Sequence, residues 1–128
     1  AHLRVPFFSV VLRKGYGLGA MAMTAGGFHA PMCTVAWPNA EFGAMGLEGA
    51  VRLGFRKELE AAPEGAQREA LYEKLLAQQY AAGSAIHMAE TLEIDAVIDP
   101  AHTRDWLVRA LQSAKTAPDH APRMIDAW

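Results

Sequence analysis

The feature that most restricts how this chain can fold is a junction: an apolar, β-branched run that leads directly into three alternating glycines. Val5 to Leu12 reads Val-Pro-Phe-Phe-Ser-Val-Val-Leu, followed by Arg13-Lys14 and then Gly15-Tyr16-Gly17-Leu18-Gly19. β-Branched and aromatic residues favour a strand, and Pro6 stands near its start, where a missing amide is tolerated. A run so uniformly apolar suits a strand covered on both faces. The glycines permit positive φ or close backbone approach, and Ala20-Met21-Ala22-Met23 favours a helix. The junction predicts a strand, a glycine turn and a short buried helix reaching Thr24 or Gly26, with Gly26-Gly27 as its stop.

Downstream, Met32 to Trp37 reads as a second strand closed by Pro38-Asn39, and Phe42 to Met45 as a third before a turn at Gly46. Leu47, Val51, Phe55 and Leu59 share helical spacing, which predicts an amphipathic helix over 47–62 with Glu48–Arg52 and Arg56–Glu60 pairs on its flanks. Pro63-Glu64-Gly65 interrupts it. A second long helix is predicted over 64–82, with Leu71 and Leu75 on one stripe, Tyr72, Leu76 and Tyr80 on the next, and Gly83-Ser84 as its end. Ile86 to Leu92 reads as a further helical turn and Ile94 to Ile98 as a short strand. Asp99-Pro100 suits a helix start, since Asp accepts orphan amides and Pro fits the first helical position. Trp106, Leu107, Ala110, Leu111 and Ala114 form the expected packing side of that last helix, and an irregular tail is expected beyond Lys115.

A length of 128 residues allows one ordinary domain. Apolar residues at 52 % and charged ones at 20 % exclude general disorder. The balance of 12 Lys and Arg against 14 Asp and Glu, net -2, argues against nucleic-acid binding through a large positive field. One cysteine, Cys33, permits no internal disulfide. No apolar run approaches the roughly 20 residues of a membrane span, and Ala-His-Leu-Arg at the start is unlike a secretory signal. The expected location is the cytoplasm, or the mitochondrial matrix in a eukaryote.

The chemistry concentrates at the glycine turn. Amides at a glycine bend that continues into a helix converge on a point and stabilise developing negative charge. Leu18 and Gly19 are the candidate donors, although the same glycine spacing also serves turns that merely allow packing. The spacing is not the dinucleotide fingerprint, and no Gly-Lys-Ser/Thr follows to make a phosphate loop. His29 with Cys33, and His87 with Glu90, are too few for a metal site. Cys33 reads as a small buried apolar residue, and Met21, Met23, Met32 and Met45 as core filling near the bend. Trp37 is expected to fix a turn, and Arg104 to pair with Asp99 or Glu93.

Arg13 to Gly19 with Met23 downstream resembles the C-terminal domain of carboxyltransferase subunits of biotin-dependent acyl-CoA carboxylases. So do Ala36-Trp37-Pro38-Asn39-Ala40-Glu41, Met45-Gly46, Glu48-Gly49-Ala50, Asp95 to Pro100 and Thr103-Arg104, in family order over most of the chain. The resemblance implies an α/β, crotonase-like fold of ββα units in a superhelix. It implies a partial domain over 1–115, truncated at its start, with a tail over 116–128. The implied reaction moves a carboxyl group from carboxybiotin, borne by a carrier protein or domain, to the α-carbon of an acyl-CoA.

In that family the bend corresponding to Gly17, Leu18, Gly19 and Ala20 holds the biotin, and the Leu18 and Gly19 amides would bind its ureido oxygen as charge develops. Implied partners are the biotin carboxyl carrier domain, an N-terminal acyl-CoA-binding crotonase-like domain or subunit, and further copies in an oligomer. The helix over 47–62 and the apolar stretch near Met21 become candidates for covering by a partner. Gly17-Leu18-Gly19 departs from members with two adjacent glycines and is closer to those with Gly-Ala-Gly; the Leu18 amide is unaffected. Gly27 to Val35 is more apolar than the family pattern. Two other readings stay open: a decarboxylase subunit of the same superfamily, and a non-catalytic crotonase-like protein serving assembly.

Overall fold

Each strand of the first segment finds its partner about a repeat later in the chain. The computed structural model describes residues 5–114. In it β1 (Phe8–Val11) pairs in parallel with β3 (Cys33–Ala36), Phe8 opposite Cys33 and Val11 opposite Ala36. β2 (Lys14–Tyr16) pairs in parallel with β4 (Glu41–Gly43), Lys14 opposite Glu41 and Tyr16 opposite Gly43. The short β5 (Ala96–Val97) adds to the far side of β3, giving the order β1-β3-β5 beside the two-stranded β2-β4 sheet. A helix follows each pair: α1 (Gly17–Met23) after β2 and α2 (Leu47–Gly54) after β4. The β-β-α order thus occurs twice in succession, in an α/β fold with parallel strands.

The remaining helices are α3 (Arg56–Ala61), α4 (Ala66–Ala82), α5 (Ala85–Glu90) and, after a 3₁₀ turn at Pro100–His102, α6 (Thr103–Ser113). Leu47 and Val51 are buried where α2 packs against α4. The main core joins Ala36, Ala40, Phe42, Ala85 and Ile94, with Phe28 set edge-on to Phe42 at 5.2 Å between ring centres. Its alanines let backbone come close to backbone. The Phe42 amide donates to the Gly83 carbonyl at 2.7 Å, and the Ala85 amide to Ala40 O at 3.2 Å. A Cβ on Gly83 would overlap the Phe42 carbonyl oxygen, so only glycine admits this approach.

Two ties close the structure at its far end. The Thr34 amide donates to Asp95 Oδ2 at 2.7 Å and the Asp95 amide returns a bond to Thr34 O at 2.8 Å. Asp99 Oδ1 accepts from the Ala101 amide, with Pro100 opening the turn, as the Asp-Pro pair predicts. The Trp37 indole donates to Thr103 Oγ1 at 3.0 Å, joining the end of β3 to the start of α6.

Several expectations need correction. The predicted glycine turn contains a strand, β2, and α1 begins at Gly17. Neither that helix nor its methionines are buried: Met23 is 78 % and Met32 52 % exposed, and Met21 and Met45 are also exposed. No described element covers that side, and for the same reason β1 has only Ser9 buried rather than both faces. The third strand, predicted over Phe42 to Met45, starts one residue earlier and ends two residues earlier, at Glu41–Gly43. The helix over 47–62 breaks at Phe55, which leaves helical geometry at φ −110°, ψ 26° directly after Gly54. Leu47 and Val51 of its stripe are covered by α4 of the same chain. Arg56–Glu60 forms at 2.7 Å. Glu48 and Arg52 instead turn to tyrosines, Glu48 accepting from Tyr80 and Arg52 lying over the Tyr72 ring. α6 has no buried residue, and Leu111 on its expected packing side is 60 % exposed. Arg104 joins none of the ion pairs among the described residues. The tail over 116–128 lies outside the described residues.

Replacing Gly83 by Ala forces Cβ into the Phe42 carbonyl. Urea denaturation is expected to show a loss of at least about 3 kcal/mol, the upper range for overpacking, because the obstacle is backbone.

Candidate functional site

The bend starts where β2 runs out. Gly17 has φ +56°, a conformation that disfavours any side chain. A Cβ there would also stand 2.7 Å from the Ala44 carbonyl oxygen. Glycine is therefore required twice, by the dihedral and by the neighbour. The chain turns at once into α1, so the amides of Leu18 and Gly19 fall in the first turn, where a helix has no acceptor of its own. No side chain caps this end, and none of the loop and cap hydrogen bonds among the described residues uses either amide. The far end of α1 is closed, by contrast: Thr24 Oγ1 donates to Ala20 O at 2.9 Å and the Gly26 amide to Met21 O at 2.7 Å.

A cavity of about 750 Å³ opens between β1, β2 and α1. Gly19 and Ala20 stand on its wall with Met23, Thr24 and Phe28; Gly17 and Leu18 are not lining residues. Leu18 is 81 % exposed, so its side chain projects into solvent. Gly19 differs from Gly17 in kind. A Cβ on it would meet nothing within 4 Å, and its φ is not positive. The fold of this chain supplies no steric reason for glycine at that position. Ser9, also on the wall, has a buried hydroxyl oxygen with no hydrogen-bond partner among the described residues.

Around the bend lies a set of polar side chains with no local sequence signal. The Tyr16 hydroxyl donates to Glu41 Oε2 at 2.6 Å across 25 residues of sequence. Burial, then that hydrogen bond and the Glu41 charge, push the Tyr16 phenol well above its ordinary value, so it remains a donor at neutral pH. Tyr80 donates to Glu48 Oε1 at 2.9 Å. Lys14 Nζ lies 5.9 Å from the Tyr16 ring centre, and Lys14 and Arg13 reach the cavity rim. The arrangement combines backbone donors in a first helical turn, a roomy apolar wall and nearby cations, which suits stabilisation of negative charge on an oxygen.

Elsewhere the chemistry is slight. No three His, Cys, Asp or Glu gather among the described residues. His29 meets Glu93 at 3.4 Å and His87 meets Glu90 at 3.8 Å, all exposed. Cys33 is half-buried, and burial followed by the Asp95 charge raises its thiol, opposite to what a nucleophile needs. No helix among the described residues is long and apolar enough to cross a membrane.

Comparison with known proteins adds the following. A family model described as "Carboxyl transferase domain" matches residues 1–124. The chain is 40 % identical over 111 residues to the biotin-dependent acetyl-/propionyl-coenzyme A carboxylase beta6 subunit of Mycobacterium tuberculosis, covering 86 % of this chain and 23 % of that one. It is 39 % identical over 118 residues to the methylmalonyl-CoA carboxyltransferase 12S subunit of Propionibacterium freudenreichii subsp. shermanii, covering 92 % and 22 %. Among solved structures, a single-chain, multi-domain long-chain acyl-CoA carboxylase superposes with a TM-score of 0.69 at 51 % identity, over 85 % of this chain and 10 % of that one. A transcarboxylase 12S hexamer structure superposes with a TM-score of 0.78 at 33 % identity, over 97 % and 23 %. The chain thus spans less than a quarter of the length of these curated relatives.

The two bend glycines should respond oppositely to alanine. Gly17→Ala is expected to destabilise by about 1–2 kcal/mol from the dihedral alone, and further from the Ala44 contact. Gly19→Ala should leave the melting temperature unchanged or raise stability by up to about 1 kcal/mol. Thermal melts of the two variants check both.

Proposed function

The chain belongs to the carboxyl transferase domain family, and on that premise we propose that it supplies the biotin-side half of a composite carboxyltransferase site. Its reaction would be carboxyl transfer from carboxybiotin to the α-carbon of an acyl-CoA, with biotin carried by a partner domain and the acyl-CoA held by the remaining portion of the enzyme. The two β-β-α units would be successive turns of a crotonase-type superhelix. In keeping with the relatives, the assembly would be an oligomer in the cytoplasm or mitochondrial matrix.

The observation that carries this reading is the pair of first-turn amides, Leu18 and Gly19, used by no loop or cap hydrogen bond among the described residues, with Gly19 on the cavity wall. The residues fit the group. Open space at Gly19, where a Cβ would meet nothing, leaves room for a ring to lie against the backbone. Biotin, when bound, supplies the carboxyl carrier and the base that its ring nitrogen becomes. This chain's part is to orient and to bind charge. Gly17 and the β2–β4 pairing fix the amides in advance, so little reorganisation is needed when the ureido oxygen turns anionic. Phe28, Met23 and Ala20 offer an apolar wall that excludes water and strengthens those bonds. The exposed apolar side of β1 and α1, including Leu12 at 50 % and Met23 at 78 %, suits covering by the acyl-CoA portion.

The test uses the assembled carboxyltransferase that contains this chain, with biotinylated carrier and acyl-CoA. Leu18→Pro deletes one amide where proline is tolerated, in the first helical turn after a glycine and at an exposed side chain. Transfer is expected to fall about 10²–10³-fold, the usual loss for one oxyanion donor. Gly19→Ala should also lower transfer while the protein stays folded. The chain alone should show no turnover. Efficient transfer by the isolated chain, or an unimpaired Leu18→Pro enzyme, would refute the assignment.

A further inference from the structure

We propose that Tyr16 and Glu41 are a positioning pair for this reaction: the tether between them fixes the direction in which the bend leaves β2, and hence where the Leu18 and Gly19 amides point. The inference rests on the carboxyl-transfer reading above and adds to it Tyr16, which stands on the cavity wall, and Glu41, which does not, acting through the bend and not on the reacting atoms.

Tyr16 is the last residue of β2 and the first flanking residue of α1. Any rotation of its backbone swings the first turn of that helix. The short β2–β4 ladder and the contact of Gly17 with Ala44 hold it in place, and its side chain adds a further restraint. β2 is three residues long, and its neighbours Gly15 and Gly17 have no side chains with which to pack. The hydroxyl therefore acts as the lever. It reaches diagonally across the ladder, past its own register partner Gly43, to Glu41, which stands opposite Lys14. At 2.6 Å and to a carboxylate, this is a charge-assisted bond.

The acceptor is itself held on both sides. The Glu41 amide donates to Arg13 O at 2.6 Å, its backbone bridges to Ser84, and Phe42 beside it is buried in the core. Glu41 thus refers the bend to the rigid β4–α5 contact. The residue at the start of α1 commonly bonds the helix's own first amides. Here Tyr16 makes no such cap and spends its hydroxyl on the neighbouring strand. That leaves the first-turn amides open while the bend stays fixed.

The experiment uses the assembled carboxyltransferase with Tyr16→Phe, Glu41→Ala and Glu41→Gln, and Leu18→Pro alongside. Tyr16→Phe and Glu41→Ala are expected to lower kcat about tenfold, the worth of one charge-assisted hydrogen bond, at unchanged KM for acyl-CoA. Glu41→Gln keeps an acceptor for the hydroxyl and should recover most of the rate. Hydrogen exchange in α1 should quicken in the two damaging variants and not in Glu41→Gln. Wild-type kcat in Tyr16→Phe overturns the pairing, as does a loss of melting temperature with kcat preserved, or a Glu41→Gln variant as slow as Glu41→Ala. If Leu18→Pro is slow in that same series, the carboxyl-transfer reading survives the failure. A wild-type assembly that transfers no carboxyl overturns both.

Discussion

Backbone packed on backbone with no side chain between is the constraint from which the rest of this structure follows. It occurs at Gly83 against Phe42 and at Gly17 against Ala44. The first contact presses the α4–α5 junction onto β4, where the Gly83 carbonyl and the Ala85 amide complete hydrogen bonds that a side chain would hold apart. The second sets the end of β2 against the segment that follows β4. Because β4 is the only strand paired with β2 among the described residues, the placement of the bend depends on both contacts. Strands this short form few ladder bonds, so their mutual angle is set by how closely the chains approach.

The molecule has two unlike sides. On one, Ala36, Ala40, Phe42, Ala85 and Ile94 close a core under α5, and α4 covers Leu47 and Val51. On the other, β1 is only half-buried, and Leu12 after it and Leu18, Met21 and Met23 of α1 carry apolar side chains into solvent. A parallel sheet ordinarily has both faces covered. Here the uncovered face is also the one that holds the cavity and the open amides. The first-turn amides and the missing apolar cover fall on the same side.

How much of this could be read from the residues depended on how local the cause was. β3, α4 and the Asp99-Pro100 start were legible because β-branched runs, helical stripes and caps act within a few residues. β2 was hidden: Lys-Gly-Tyr has little strand character by itself and becomes a strand only because Glu41 to Gly43 lies beside it. The break at Phe55 had a faint signal in Gly54, which was outweighed by the regular spacing of Val51, Phe55 and Leu59. The methionines were misjudged since residue type reports an apolar surface and not whether anything covers it. At the bend, the glycines marked where the chain turns into α1, and the chemistry proposed there came from the resemblance. The Tyr16–Glu41 bond was invisible because its partners are 25 residues apart and lie in two separate motifs whose pairing no local spacing reveals.

The attachment of α6 sets how cooperative the fold can be. That helix buries no residue, and among the described residues its side-chain hydrogen bond to the strand region is the one from the Trp37 indole to Thr103. Segments with so few buried contacts open at a lower free energy than the core. Loss of α6 is then a separate melting step that precedes collapse of the sheets. Far-ultraviolet dichroism would register helix lost in that step while the Phe28–Phe42 contact is still intact, ahead of the main transition that reports on the core.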